Sequence, residues 1–156
     1  MALNGKLVSK TSVNLGGDLI FEVFRYKLSQ LVNICPGFIQ SVDLGGGQWG
    51  AVGSVILWNY TLGGKKRFAK EVVEAIDEKK RSITFKVVEG GVLEMYTSFK
   101  FTFSIDDDSN GQDNAVVTWT IDYEKKSESV PAPHALMDLG VAVTKEIARH
   151  YSLVPN

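Results

Sequence analysis

The stretch Phe99-Lys100-Phe101-Thr102-Phe103-Ser104 places an aromatic ring at every second position and a polar side chain after each ring. Successive side chains of a β-strand point to opposite faces, so this alternation is typical of a strand with one buried face. The same pattern occurs on both sides of the stretch, with apolar residues at Ile83, Phe85 and Val87 before it and at Val117, Trp119, Ile121 and Tyr123 after it. The pattern therefore predicts a sheet with one apolar, aromatic-rich face.

Six β-like segments follow one another from residue 38 to residue 125, and short glycine-rich or polar turns separate them. We predict strands at residues 38–44, 51–60, 67–76, 82–89, 93–105 and 115–124. Consecutive strands joined by short turns form an antiparallel meander. Residues 3–13 have the same β-rich character and add a first strand, so the predicted sheet is antiparallel and has seven strands.

Helical periodicity appears before and after the six-strand region. Asp18 is a suitable helix N-cap, and after it apolar residues recur at helical spacing, namely Ile20, Val23, Phe24, Leu28 and Leu31. The tripeptide Cys35-Pro36-Gly37 ends this region, which is either one bent helix or two short ones. A longer helix is predicted at residues 132–150, with an inward stripe formed by Leu136, Gly140, Val143 and Ile147.

The composition is that of one ordinary globular domain, because the chain has 156 residues, a net charge of −1 and 44% hydrophobic residues. No block of basic residues indicates a nucleic-acid partner or an anionic membrane surface. The lone Cys35 has no partner for an internal disulfide. Residues 1–6 lack the apolar core of a signal peptide, and the apolar run 51–58 is too short to span a bilayer. We therefore expect a single cytoplasmic domain over residues 1–156, without membrane insertion, that is a monomer or a weak dimer.

Two familiar motifs are present only in part. Gly45, Gly47 and Gly50 match the G-x-G-x-x-G pattern, but in a dinucleotide site that loop opens a helix and here a predicted strand follows it. We interpret the cluster as a hairpin loop. His134 and His150 lie far apart in the sequence, so no metal site is predicted, and we expect no cofactor.

The sequence leaves the orientation of Glu71 open. Glu71 shares its strand face with Ala69, Val73 and Ala75, but the opposite face carries the equally apolar Phe68 and Val72. If the side chain points inward, burial raises the pKa of its carboxyl group and makes it a proton donor or a hydrogen-bond anchor. If it points outward, it is an ordinary solvated carboxylate.

Several long segments have a recognisable sequence. They include Gln48-Trp49-Gly50-Ala51-Val52-Gly53-Ser54-Val55-Ile56-Leu57-Trp58-Asn59-Tyr60 and Val117-Thr118-Trp119-Thr120-Ile121-Asp122-Tyr123-Glu124-Lys125. Residues 69–71, 74–77, 82–85, 89–93, 96–100 and 130–133 contribute shorter matches. These segments, in this order, resemble the major latex proteins, a subfamily of the birch-pollen-allergen superfamily. Val92 and Met95 depart from the pattern of that family.

The resemblance implies an α+β helix-grip fold, in which a seven-stranded curved antiparallel sheet wraps around a long C-terminal helix and two short helices lie between strands 1 and 2. It also implies binding of a small apolar or amphipathic molecule, such as a terpenoid, sterol, flavonoid or alkaloid, in plant defence or specialised metabolism. Some relatives are cofactor-free enzymes that close or isomerise alkaloid rings or assist terpenoid cyclisation. No catalytic residue of those enzymes is carried over to this chain.

We expect a carrier or storage function, and the alternative is a cofactor-free cyclase or isomerase acting on a reactive terpenoid or alkaloid intermediate. Periodicity alone does not decide whether the apolar face encloses an open cavity. If it does, the expected ligand-binding residues from the sheet are Leu57, Glu71, Phe85, Val87, Phe99, Phe101, Trp119, Ile121 and Tyr123. Those from the helices are Phe24, Leu136, Gly140 and Val143. Glu71 and Tyr123, followed by His150, are the expected polar groups of the cavity, and Cys35 is either a pocket-lining thiol or an inert one.

Overall fold

The computed structural model describes residues 3–108 and 111–152. Three helices, α1 to α3, span Gly17–Tyr26, Leu31–Ile34 and His134–Ser152. Seven strands, β1 to β7, span Asn4–Val13, Ile39–Gly46, Val55–Leu62, Lys65–Asp77, Ser82–Gly90, Tyr96–Asp108 and Gly111–Lys125. Short 3-10 turns at Leu28–Gln30 and Gly91–Glu94 join α1 to α2 and β5 to β6.

The strands form one antiparallel sheet in the order β1-β7-β6-β5-β4-β3-β2, so β1 and β2 are its two edges. The predicted meander is confirmed from β2 to β7, and β1 closes the order by pairing with β7. The register of β2 against β3 is interrupted at both ends, between Ile39 and Ser41 and between Leu44 and Gly46. The seven-stranded curved sheet, the C-terminal helix and the two short helices between the first two strands are the predicted architecture.

The boundaries of several elements differ from the prediction. β3 begins at Val55 rather than at residue 51, because Gly50 and Gly53 adopt φ angles of 83° and 90° that break an extended strand. β6 begins at Tyr96, after a 3-10 turn where the prediction had strand. The long helix begins at His134, because prolines at positions 131 and 133 delay it.

The predicted capping role of Asp18 is wrong. The N-cap of α1 is Gly16, and no side chain donates or accepts a capping hydrogen bond there. Asp18 lies in the first turn of the helix and pairs with Arg81 at 3.2 Å. A carboxylate in the first turn still interacts favourably with the helix dipole, so the residue supports the helix without capping it.

The inner face of the sheet agrees with the predicted alternation in β5, β6 and β7. Phe85, Phe103 and Ile121 are all buried, whereas the polar residues between the inward positions are more exposed. The prediction for β3 is wrong, because Ile56 is buried at 1% exposure while Leu57 belongs to the opposite face. Both faces of β3 carry apolar residues, so alternation alone did not distinguish them.

Helix α3 lies against the inner face and contacts β1, β3 and β7 as well as α2. Leu136, Val143 and Ile147 are buried along its predicted stripe. Trp119 of β7 joins the helix to the sheet, because its Nε1–H donates to Thr144 Oγ1 at 2.8 Å and Thr144 donates to the Gly140 carbonyl at 2.8 Å. Within residues 3–108 and 111–152, no helix has both the length and the apolar character needed to cross a membrane.

Candidate functional site

A cavity of about 100 Å³ lies between the inner face of the sheet and α3. The region between β1 and β2 contributes Phe24, Leu28 and Leu31 to its wall. The strands contribute Ile39, Trp58, Tyr60, Ala69 and Glu71 on one side and Phe85, Val87, Phe101 and Trp119 on the other. Helix α3 contributes Leu136, Leu139, Gly140 and Val143, and the 3-10 turn before β6 adds Val92. The wall is therefore almost entirely apolar, and Glu71 is its one acidic residue.

Most of the expected ligand-binding residues lie in this wall. They are Phe24, Glu71, Phe85, Val87, Phe101, Trp119, Leu136, Gly140 and Val143. Whether they bind a ligand remains a prediction, but the fold does bring them together around one cavity.

The other four expected residues lie elsewhere. Phe99 and Ile121 face inward and are fully buried, yet they belong to the packed core and not to the cavity wall. Tyr123 is also buried, where its ring fits against the bare backbone of Gly5 and lies 5.7 Å from the Tyr96 ring. Leu57 is on the far side of β3. The alternation identified the inward face correctly for three of these residues. It carried no information on which inward residues pack in the core and which line the cavity.

Two further polar candidates also lie outside the cavity wall. His150 is exposed near the end of α3, because it falls on the solvent side of the helix, so its expected role in the cavity is wrong. Cys35 is buried, and its thiol lies 3.4 Å from the Leu31 carbonyl oxygen. Burial, with a smaller contribution from Glu146, raises the pKa of the Cys35 thiol to about 11, so it is the inert thiol of the two alternatives.

Sequence reasoning missed several wall residues for identifiable reasons. Trp58 and Tyr60 lie on the same face of β3 as Ile56. The prediction placed the opposite face, with Leu57, toward the cavity, and therefore missed both residues. Leu28 and Leu31 belonged to the predicted helical stripe, and that stripe was the signal that pointed to them. Leu139 lies beside Gly140 at the flank of the predicted α3 stripe, where the stripe itself gave no signal.

Glu71 points into the cavity, and the orientation left open by the sequence is thereby settled. Glu71 is only 7% exposed and shares its inward face with Ala69 and Val73, which are also buried. The pairing with β5 skips Glu74 between Val73 and Ala75, and Ala75, which the regular alternation placed on the same face, is exposed. Burial raises the pKa of the Glu71 carboxyl group to about 8, and Trp58 opposes this shift more weakly. The carboxyl group is therefore mainly protonated at neutral pH.

The polar groups of the cavity collect on the ladder between β3 and β4. There Ile56 pairs with Glu71, Trp58 with Ala69, and Tyr60 with Arg67. Burial raises the pKa of the Tyr60 phenol, the positive charge of Arg67 lowers it, and Glu71 adds a smaller increase. Tyr60 thus lies within the electrostatic reach of both Arg67 and Glu71, and one end of the apolar cavity is polar.

The glycine-rich loop does not form part of the cavity wall. Arg25 of α1 donates from Nε to the Gly50 carbonyl oxygen at 3.2 Å and pairs with Glu78 at 2.9 Å. A Cβ atom on Gly50 would overlap the ring of Tyr26, so only glycine fits against this ring. Ser54 Oγ also accepts from the Gln48 amide at 2.9 Å. The loop is therefore held against the end of α1.

Comparison with known proteins gives a consistent result. The family model for pathogenesis-related protein Bet v 1 matches residues 2–152. MLP-like protein 28 of Arabidopsis thaliana is 38% identical over 149 residues, which are 96% of this chain and 44% of that relative. The chain therefore spans less than half of the length of that relative.

Solved structures show the same fold. A crystal structure of ginseng major latex-like protein 151 from Panax ginseng is 42% identical, has a TM-score of 0.90, and covers 96% of this chain and 98% of its own. A norcoclaurine synthase from Thalictrum flavum, solved as a point mutant with a transition-state analogue, has a TM-score of 0.76. It covers 97% of this chain and 98% of its own, but at 18% identity it shows similarity of fold alone.

Proposed function

Because this chain belongs to the pathogenesis-related protein Bet v 1 family, we propose that it binds a small hydrophobic or amphipathic molecule beneath α3, as a carrier or store. The observation that carries the proposal is an apolar cavity lined mainly by buried side chains, with Glu71 as the one carboxyl group among the described residues of its wall. We further propose that it acts as a monomer or weak dimer in the cytoplasm, in plant defence or specialised metabolism.

The chemistry of the wall favours a largely apolar ligand. Removing apolar surface from water provides roughly 25 cal/mol per Å², so an apolar molecule gains free energy by entering. A few fixed polar groups then orient the molecule, as is usual in ligand pockets. Glu71 and Tyr60 are the groups of this chain that would provide that orientation.

The size of the cavity limits what it holds without rearrangement. Its volume of about 100 Å³ is smaller than the roughly 150 Å³ of a cavity that accepts benzene. Pockets for larger ligands typically have about 300–1,000 Å³. A terpenoid, sterol, flavonoid or alkaloid would therefore require outward movement of α3 or of side chains in the wall. Leu139 and Gly140 are only partly buried, so the α3 side of the cavity is the expected place for this movement.

Displacement of an environment-sensitive apolar dye tests the binding function. The panel contains terpenoids, sterols, flavonoids and alkaloids, together with small cyclic hydrocarbons. Saturable displacement by at least one class supports binding. Absence of both dye binding and ligand binding contradicts it.

A cofactor-free cyclase or isomerase is the second candidate, and one observation favours it. The Glu71 carboxyl group is buried in a largely apolar wall, and its pKa of about 8 makes it a proton donor at neutral pH. A reactive terpenoid or alkaloid intermediate bound there would receive its proton from Glu71.

The Glu71→Gln variant separates the two functions, because glutamine keeps the shape and much of the hydrogen bonding but does not donate an acidic proton. For a carrier, we expect the affinity for hydroxylated ligands to change by only ~1 kcal/mol. For an enzyme, we expect turnover to fall by ~10²-fold or more. The measurement is the ratio of isomeric products formed from a reactive precursor with and without the protein. If the wild-type protein does not change this ratio, the cyclase or isomerase function is excluded.

A further inference from the structure

Two buried side-chain nitrogen atoms lack a hydrogen-bond partner among the residues that the structure describes, and both are donors. They are Trp58 Nε1 and Arg67 Nε. Both residues lie on the β3–β4 ladder that carries Glu71. A buried donor without an acceptor costs about 1–3 kcal/mol, and native proteins rarely leave one. The two groups left without a partner on this ladder are therefore both donors.

The two tryptophans of the cavity wall differ in this respect. The indole N–H of Trp119 donates to Thr144 Oγ1 at 2.8 Å, so its hydrogen-bonding capacity is used. The indole N–H of Trp58 lies near enough to Glu71 to favour the carboxylate form, yet the contact lacks the geometry of a hydrogen bond. A protonated Glu71 adds a hydroxyl donor and keeps a carbonyl oxygen as an acceptor. The indole N–H of Trp58 still lacks a bonded acceptor, which a ligand can supply.

We propose that the cavity holds its ligand by a carbonyl oxygen, placed against the indole N–H of Trp58 and the carboxyl group of Glu71. The inference rests on the proposed binding function and adds the ligand class, an apolar skeleton that carries a ketone or aldehyde. A carbonyl oxygen accepts two hydrogen bonds and brings no donor. A hydroxyl group also accepts but brings a donor of its own. A carboxylate would bury a charge, because no cationic side chain is among the described residues that line the cavity.

Two small cyclic probes test this inference, and both need the outward movement of α3 or of wall side chains described above, because the cavity of about 100 Å³ is smaller than either requires. Cyclohexanone and methylenecyclohexane have nearly the same shape and differ in whether the exocyclic atom accepts a hydrogen bond. The quantity measured is the ratio of their two affinities, because their different solubilities in water cancel when variants are compared. We expect Trp58→Phe to reduce the relative affinity for cyclohexanone by about fivefold, as for one lost hydrogen bond.

Trp119→Phe is the matched control. It removes an indole group from the same wall, but the N–H of that indole already donates to Thr144. We expect this variant to lower the affinities for both probes by the same factor, so that the ratio of the two affinities is unchanged. If both probes bind and Trp58→Phe leaves the ratio unchanged, the inference is wrong while the binding function stands. If neither probe nor any dye binds, the binding function itself is wrong and the inference falls with it.

A second measurement needs no variant and so does not depend on whether Trp58→Phe folds. In ¹⁵N-labelled wild-type protein, we compare the indole N–H resonances of the cyclohexanone and methylenecyclohexane complexes. The proton resonance of Trp58 is expected at lower field in the cyclohexanone complex, and that of Trp119 is expected to be the same in both. A Trp58 resonance that is identical in the two complexes overturns the inference.

Discussion

Glu71 lies on β4 between the buried Ala69 and Val73 and pairs across the ladder with the buried Ile56. The opposite face of β4 carries Phe68 and Val72, so alternation along this strand does not show which face is inward. The pairing of whole strands and the packing of α3 decide it, and a single strand sequence does not encode them. The identity of the candidate polar group was predictable from the sequence, but its burial and its raised pKa were not.

The first prediction concerns the pH dependence of stability. The pKa of Glu71 is about 8 in the folded protein and 4.5 in an ordinary carboxyl group, so the unfolded chain releases this proton at lower pH. The contribution of Glu71 is fully present below pH 4.5 and is lost as the pH rises toward 8. Between pH 4 and pH 7, ionisation of Glu71 should lower the free energy of unfolding of the wild-type protein by up to about 3 kcal/mol. Glu71→Gln should remove this decrease, as measured by urea unfolding at each pH.

The matched control is Glu74→Gln on the same strand. Glu74 is exposed and pairs with Lys100 at 2.9 Å, and an exposed pair typically contributes less than about 1 kcal/mol. We expect the pH profile of this variant to follow that of the wild-type protein. A Glu71→Gln profile that also follows the wild type would mean that the carboxyl group is hydrated.

At the scale of elements, the sequence predicted which strands and helices exist better than it predicted which of their faces point inward. The seven strands and the long helix were predictable because their periodicities are strong and glycine or proline separates them. The inward face of β3 was not, since Val55, Ile56, Leu57 and Trp58 form an unbroken apolar run. In such a run, alternation no longer marks a face, and the pairing with β4 decides it.

The second prediction belongs to α3. A Cβ atom on Gly140 would lie 3.7 Å from the Trp119 ring, which is an ordinary contact, whereas a leucine side chain would extend into the cavity. Gly140→Leu should therefore lower ligand affinity about tenfold or more. The free energy of unfolding should change by less than the free energy of ligand binding. Gly140→Ala is the control and should keep the affinity, with a gain of up to about 1 kcal/mol from helix propensity. Equal affinity of a folded Gly140→Leu variant would show that α3 does not border the ligand.

The third prediction belongs to the glycine-rich loop and α1. Arg25 joins the loop to the β4–β5 turn through Gly50 and Glu78, and its guanidinium group also lies 4.9 Å from the Tyr26 ring centroid. Arg25→Gln should lower the free energy of unfolding by about 1–2 kcal/mol and speed amide exchange in residues 47–54.

Arg149→Gln is the control for Arg25, because the Arg149 side chain is 72% exposed and its contact with Glu146 at 3.9 Å is long. We expect a change of no more than about 0.5 kcal/mol for this variant. Unaltered amide exchange in Arg25→Gln would show that the loop holds its position without Arg25.

At the scale of the whole molecule, a ligand that enters the cavity stabilises the fold because it binds only the folded chain. At a free concentration about 100 times the Kd, the free energy of unfolding should rise by about 2.7 kcal/mol. For a protein of this size, the midpoint of thermal unfolding should then rise by roughly 5–10 °C. Scanning calorimetry measures this shift, and Gly140→Leu should show a much smaller one at the same ligand concentration.

The two edges of the sheet have a consequence for how densely this protein can accumulate. An exposed edge strand is a template for pairing with another chain, and long regular edges promote aggregation. Here β2 is short and irregular, with breaks in register at both ends and the exposed Asp43 between them. At the other edge, β1 presents the exposed charges of Lys6 and Lys10 to any approaching strand. A sheet protected in this way has little tendency to pair edge to edge when the protein is concentrated.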